Sequence, residues 1–296
     1  MQNNDMTVKA SALTIFICIL FGANPVAIKL SLTGLGAFTA AGIRFAIAAV
    51  VILAWAWITK TPLKLTSKQV KQTLVLAAIF VVQLSFFYHG LGKTTASHGV
   101  LIANVLPFFV LFLAHFFIPG DRFTLKKGLG ITLGFVGVFL LFFDAPDIAY
   151  DLKIGDGMVL VAVVFWSISA VRVKQIIAGY NSLQITLFPM MFAVPFFFIA
   201  GFFWDAQMVE KVNTTIINAI LYQSFVTASF GFLAWNSLLQ KFGVTTLHSF
   251  VFIMPLTGVL VGVLFLNEPI TLYLLASIAF IVTGVIIVNL KRKKRQ

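Results

Sequence analysis

This chain is short of charge, of acid and of cysteine, and each shortage excludes something. Only 10% of its 296 residues are charged, against roughly 25% in a soluble domain. So few polar groups cannot cover a water-facing surface. There are nine acids against 21 bases, for a net charge of +12, and no acid falls in the middle of any apolar run. Carboxylates at that depth are the usual proton or sodium carriers of coupled membrane pumps. Paired midplane carboxylates, an HExxH helix or a Ser–His/Asp set are also missing, which argues against an intramembrane enzyme. The single cysteine, Cys18, excludes an intrachain disulfide and a cysteine-rich metal site. GLGKTT at 90–95 resembles the end of a phosphate-binding loop, but Phe87 stands where that motif needs its first glycine.

What the chain has in abundance is long apolar runs. It is 60% hydrophobic, with a mean hydropathy of +1.03. Spans are expected at 11–29, 37–58, 72–90, 97–117, 125–143, 157–178, 184–203, 216–238, 245–266 and 271–290. Lengths of this order cross a hydrocarbon core of roughly 30 Å at about 1.5 Å per residue. The first run has no small-residue cleavage site and reads as a retained span. With the N-terminus in the cytoplasm, fifteen Lys and Arg fall inside, including the tail Lys291–Arg295, and Lys29, Lys93, Lys153 and Lys211 fall outside. That bias fits ten spans with both termini cytoplasmic. Basic residues at span ends set orientation, so the positive charge does not imply nucleic acid. The tail reads as a topology anchor, with anionic lipid or a partner as the other option.

The region 81–141 recurs in order at 231–288. Lys93 and Lys241 each stand 14 residues before a proline, Pro107 or Pro255. Asp121-Arg122-Phe123-Thr124-Leu125 aligns with Glu268-Pro269-Ile270-Thr271-Leu272, and Gly137 with Gly284. Five spans per half is an odd number, so the halves 1–148 and 149–296 are expected to lie upside down relative to each other, the second carrying the basic tail. Inverted repeats of this kind build a central site reachable from either side. With FGANPVAIK at 21–29, these motifs resemble the EamA family of the drug/metabolite transporter superfamily. The resemblance implies an all-α polytopic membrane protein with ten helices in two inverted five-helix repeats. It also implies alternating access, and export of amino acids or other metabolites.

Among candidate residues, Arg44 lies seven residues into its span and could hold a substrate carboxylate or pair within the protein. Lys29, at a span end, reads as a cation reaching for the interface. Asn24, Gln83, Asn104 and Gln223 are amides that hydrocarbon penalises unless they face a partner or a cavity. They are expected to line the cavity, with interhelical hydrogen bonding as the other reading. Tyr88 and Phe87 correspond to Asn236 and Trp235, as rings for stacking or as an interfacial belt. Pro107 and Pro255 are expected to kink spans 4 and 9 as hinges or as static packing kinks. Gly130/Gly134 and Gly258/Gly262 have the spacing of close helix approach. Arg172 and Lys174 read as interfacial, and His89, His98, His115 and His248 as hydrogen-bonded near span ends. Asp121 and Glu268 are expected to cap or orient the helix that follows each.

The reading is a secondary transporter in the cell (inner) membrane that moves amino acids or similar small metabolites, with export the expected direction. Facilitated transport or exchange is favoured. A proton-coupled exporter and a non-transporting scaffold are the alternatives. The expected partners are a small-molecule substrate and membrane lipid, not nucleic acid, with no cofactor or metal, in a monomer or homodimer.

Overall fold

A computed structural model describes residues 7–117, 125–141, 150–242, 250–251 and 253–289. Asp121, Arg122, His248 and the basic tail lie outside the described residues. The helices are α1 (Val8–Leu32), α2 (Ala37–Ile58), α3 (Ser67–Lys93), α4 (Ala96–Ala103), α5 (Leu106–Phe117), α6 (Leu125–Leu141), α7 (Tyr150–Ile176) and α8 (Ser182–Trp204). Then come α9 (Thr214–Leu221), a π-helical segment (Tyr222–Gly231), α10 (Phe232–Phe242), α11 (Ile253–Leu266) and α12 (Leu272–Asn289).

Seven stretches are long and apolar enough to cross a membrane among the described residues, and three shorter apolar helices accompany them. With no water in hydrocarbon, the backbone must satisfy itself within each segment, so apolar runs of this length become helices. Their outer faces stay apolar: Trp57, Phe202, Phe203 and Trp204 are all exposed. Polar residues mark the starts. Thr66 with Gln69, and Asn181 with Gln184, form reciprocal capping boxes at α3 and α8. Several helices outrun their expected spans. α3 begins at Ser67 rather than 72, because Lys68, Gln69 and Lys71 extend it beyond the apolar stretch.

The fourth span is not one kinked helix. It breaks at Asn104 and Val105 and resumes at Leu106. Pro107 therefore sits in the first turn of α5, and Pro255 in the first turn of α11. A first turn has no intrahelical acceptor for its N–H groups, so proline there costs little. The expected mid-span kinks are thus helix starts. Sequence also gave no sign of the π-helical stretch in the eighth span, where α9 passes into α10.

The principal neighbour of α1 is α11, of α2 is α8, of α3 is α7, and of α6 is α12. The glycine pairs allow this closeness. A Cβ on Gly258 would meet the Gly22 carbonyl oxygen of α1 at 2.8 Å, and one on Gly284 the Gly130 carbonyl oxygen of α6 at 2.6 Å. The connections at 33–36, 94–95, 205–213 and 267–271 gather at one end of the bundle, termed the distal face. Those at 59–66 and 177–181 gather at the other, the proximal face. At the distal face Gly36 N–H donates to the Met208 carbonyl (3.2 Å) and Glu210 N–H to the Gly34 carbonyl (2.9 Å). Asp205 there accepts from Thr39 N–H (2.9 Å) and Thr39 Oγ1 (2.8 Å), capping α2. At the proximal face Asn181 donates to the Pro62 carbonyl (3.0 Å) and Gln184 to the Lys64 carbonyl (3.0 Å).

Candidate functional site

Arg44 is only 3% exposed. It lies on α2 where the small residues Ala40, Ala41 and Ala48 let neighbouring helices come close. Its Nη1 donates to Tyr88 Oη of α3 (3.2 Å) and its Nη2 to Thr227 Oγ1 of the π-helical segment (3.1 Å). Tyr88 Oη donates in turn to Gln223 Oε1 (2.9 Å), and Gln223 Nε2 donates to the Ala27 carbonyl of α1 (3.0 Å). The single Thr227 hydroxyl hydrogen faces Asn24 Oδ1 (2.9 Å) and the Gln223 carbonyl (2.8 Å). Phe45 lies under the guanidinium, with its ring centroid 4.8 Å from Cζ.

The local backbone places these groups. Pro25 sits inside α1, two residues from the Ala27 carbonyl that receives Gln223. The π-helical turns bring Gln223 and Thr227 onto the same side, both fully buried. A short stretch of this geometry inside an α-helix often marks a functional site.

What the network lacks is a negative charge. Among the described residues no carboxylate lies within 4 Å of Arg44, and its Nε has no hydrogen-bond partner. Its partners are a phenol, a hydroxyl and an aromatic face. Leaving a buried donor unpaired costs about 1–3 kcal/mol, and a guanidinium presents a fork that fits a carboxylate side-on. The arrangement can therefore bind an anion of carboxylate shape, with Nε–H and a neighbouring Nη–H as donors. Arg44 lines neither of two grooves in the surface. One, of about 150 Å³, is lined by Lys71, Gln72, Val75, Leu76, Arg172 and Ile176 at the proximal end. The other, of about 290 Å³, lies between α2 and Phe225. The helices are packed tightly around Arg44 in this conformation.

A family model described as the EamA-like transporter family matches residues 8–143 and again 153–290. The chain belongs to that family. An EamA-like chain has transporters for relatives, and the similar proteins are named so. An uncharacterized transporter of Archaeoglobus fulgidus is 27% identical over 269 residues, covering 90% of this chain and 93% of its own. The uncharacterized transporter YvbV of Bacillus subtilis is 25% identical, covering 97% and 94%. A probable amino-acid metabolite efflux pump of Escherichia coli is 24% identical, covering 95% of each. A solved crystal structure superposes with a TM-score of 0.73 at 16% identity over 95% of this chain, a likeness of fold. Several apolar spans and transporter relatives make this EamA-like protein a multi-pass membrane protein.

Of the eight residues expected to contact substrate, the structure joins Asn24, Arg44, Tyr88 and Gln223. The remaining four are elsewhere. Trp235 packs on Phe21 with ring centroids 6.1 Å apart, and Asn236 donates to Thr186 Oγ1 of α8 (2.7 Å). They stand at least 12 residues past Gln223, more than two helical turns. Gln83 and Asn104 are buried, each with its side-chain oxygen unpartnered, and Asn104 Nδ2 donates to the Val100 carbonyl (2.7 Å) beside the helix break. Thr227, a mid-span polar residue that sequence reasoning expected to face a partner or the cavity but did not count among those eight, completes the network.

Several expectations at span ends are corrected. Tyr88 is 1% exposed and is no belt residue. Lys29 turns inward and donates to the carbonyls of Leu91 (3.1 Å) and Thr94. Glu268 does not cap the helix that follows it. Thr271 Oγ1 caps α12 by accepting from Leu274 N–H (3.0 Å), while Glu268 reaches across to α4 and accepts from Ala96 N–H (2.6 Å) and Ser97 N–H (2.9 Å). His98, read as hydrogen-bonded near a span end, is bonded as expected but buried, and its partner Asp156 is buried with it. Arg172, by contrast, lies at the surface and donates to Gln175 (3.0 Å), as an interfacial residue should.

Proposed function

We propose that this chain is a secondary carrier moving amino acids or similar small carboxylate-bearing metabolites out of the cell by alternating access. The reading takes ten helices in two inverted five-helix repeats, 1–148 and 149–296, in the cytoplasmic membrane with both termini inside. One observation carries it: a buried arginine held at the meeting of α1, α2, α3 and the π-helical segment, with no acid beside it among the described residues. Such a cation favours an anionic guest over an empty site. The E. coli relative named as an amino-acid metabolite efflux pump supports the substrate class. The Lys and Arg asymmetry supports the orientation, with the proximal face cytoplasmic. Lys71 and Arg172 then flank a cytoplasmic groove, where they attract anions.

In this reading Asn24, Tyr88, Gln223 and Thr227 orient the guanidinium, and the substrate carboxylate takes its Nε edge. Gln83 Oε1 and Asn104 Oδ1 supply acceptors for a second polar group of the substrate. The break before Pro107 and the start at Pro255 serve as hinges. The decisive experiment is counterflow in proteoliposomes with a labelled amino-acid panel. Exchange of one class, lost when its carboxylate is amidated, supports the reading. An amidated analogue exchanging equally well removes Arg44 as the anchor, and no flux from folded protein for any carboxylate overturns the substrate class.

A further inference from the structure

The proximal groove of about 150 Å³ takes no part in the Arg44 network. It runs between α3 of the first half and α7 of the second, and its lining among the described residues is Lys71, Gln72, Val75, Leu76, Arg172 and Ile176. The floor is firm: Leu76 is 2% exposed and clusters with Tyr180 and Ile185. The rim is open. Lys71 and Arg172 are exposed, and Val75 is 48% exposed. The apolar run of α3 begins just past Lys71, so that residue stands at the edge of the hydrocarbon. Val75 and Leu76 lie about one helical turn deeper. Arg172, near the end of α7, meets them from the other side.

Each polar group of that lining offers hydrogens. Lys71 brings an ammonium. Arg172 uses Nη1 on Gln175 Oε1 of its own helix (3.0 Å), and Gln175 Nε2 donates to the Phe117 carbonyl (3.0 Å), which steadies the pair. The rest of the guanidinium remains available as a fork for phosphate oxygens. Gln72 Oε1 accepts from Tyr180 Oη (2.9 Å), which leaves its amide N–H groups to donate. The remaining walls are apolar. A soluble anion would use the donors and leave those walls bare. A phospholipid uses both. A zwitterionic headgroup brings a cation of its own, which two neighbouring bases repel, so a net-anionic headgroup is favoured. We propose that this groove binds one anionic phospholipid, its phosphate between Lys71 and Arg172 and an acyl chain against Val75, Leu76 and Ile176. The bound lipid spans α3 and α7 and so fastens the two halves of the chain at the proximal end. A ligand that binds only the packed pair stabilises it. The inference requires that the chain spans a membrane and nothing about its substrate or direction.

The test needs no substrate, so its failure is distinct from failure of the amino-acid reading. Full-length protein in detergent is titrated with phosphatidylglycerol or with phosphatidylcholine of the same acyl chains, and native mass spectrometry reads the lipid retained. The first phosphatidylglycerol is expected to bind about thirtyfold more tightly than phosphatidylcholine, since each base beside an anionic headgroup contributes about fivefold. The double variant Lys71→Gln/Arg172→Gln is expected to lose that preference. Lys64→Gln/Lys241→Gln removes two exposed bases that do not line the groove, and is expected to keep it. A large excess of inorganic phosphate is expected to leave the lipid in place. Equal retention of the two lipids overturns the proposal, as does a preference that both double variants weaken alike. Displacement by inorganic phosphate also overturns it, because the site would then bind a phosphate without its chain. Should Lys71→Gln/Arg172→Gln fail to fold, the two lipids and phosphate on the wild type still decide, together with Arg172→Gln alone, which is expected to lose about fivefold.

Discussion

A single residue, Arg44, concentrates the functional argument. Its Tyr88 and Thr227 partners orient it without neutralising it. Arg44→Ala is expected to lower counterflow at least tenfold, since a hydrogen bond to a charged group contributes about 1.5–3 kcal/mol, while the protein still folds. Unchanged transport at normal expression would exclude Arg44 as anchor. Arg44→Lys is expected to rescue poorly, because an ammonium cannot present two parallel donors. Tyr180 gives a prediction outside the spans. Its hydroxyl donates to the Gln69 carbonyl (3.1 Å) and Gln72 Oε1 (2.9 Å), and burial raises its pKa above the usual phenol value. The folded state therefore binds that proton more tightly than the unfolded state. Its contribution is full below about pH 10 and fades as pH rises further. Melting temperatures of wild type and Tyr180→Phe across that range check this: the wild type should lose the steeper share of stability. Sequence exposed Arg44 because a cation inside an apolar run is rare. It hid Asp156 because a carboxylate near a helix end looks solvated until its His98 partner, 58 residues away, is known.

At the scale of helices, the length of the apolar runs located the described helices, because long apolar runs can satisfy their backbone only as helices. It missed the irregularities, which depend on tertiary partners. The break at Asn104–Val105 and the π-helical turns at 222–231 have no signature in residue type alone. Moving Pro107 from a kink to the first turn of α5 sharpens its prediction. In Pro107→Ala the new N–H can reach the Ala103 carbonyl, four residues back. The break can then heal into a continuous helix. Turnover in counterflow should slow several-fold while equilibrium substrate binding is largely kept; equal rates would discard the hinge. The cap on α4 is equally specific. Glu268→Gln leaves a neutral acceptor where a carboxylate now takes three donors, and a cap of this kind contributes about 1 kcal/mol. Loss of amide protection at Ala96 and Ser97 by hydrogen exchange is the expected readout, with α12 unaffected because Thr271 holds it.

For the molecule as a whole, the two repeats are units of sequence more than of packing. α1 lies on α11, α2 on α8, α3 on α7 and α6 on α12, so each half finds its main neighbours in the other. Orientation can be tested on the intact molecule. Val212 is 60% exposed at the distal face, and Lys60 is exposed at the proximal one. In a Cys18→Ser background, Val212→Cys should react with an impermeant thiol reagent on intact cells, and Lys60→Cys only after permeabilisation. The opposite pattern would invert the topology.

The interleaving also bears on how the protein is made. Arg44 finds one partner 44 residues downstream and the other 183 residues downstream. While the chain is being synthesised, the first helices therefore enter the bilayer with that guanidinium only half satisfied, and they stay so until Thr227 has left the ribosome. Lys29 is answered sooner, by carbonyls 62 and 65 residues on. The nascent protein thus passes through an interval in which its second helix is a poor membrane resident. A chain arrested before Thr227 has emerged from the ribosome should be cleared by quality control faster than one arrested far enough on for Thr227 to have emerged, and Arg44→Leu should erase that difference. The buried guanidinium that suits the finished transporter is, during birth, a timer set by the distance along the message to its partner.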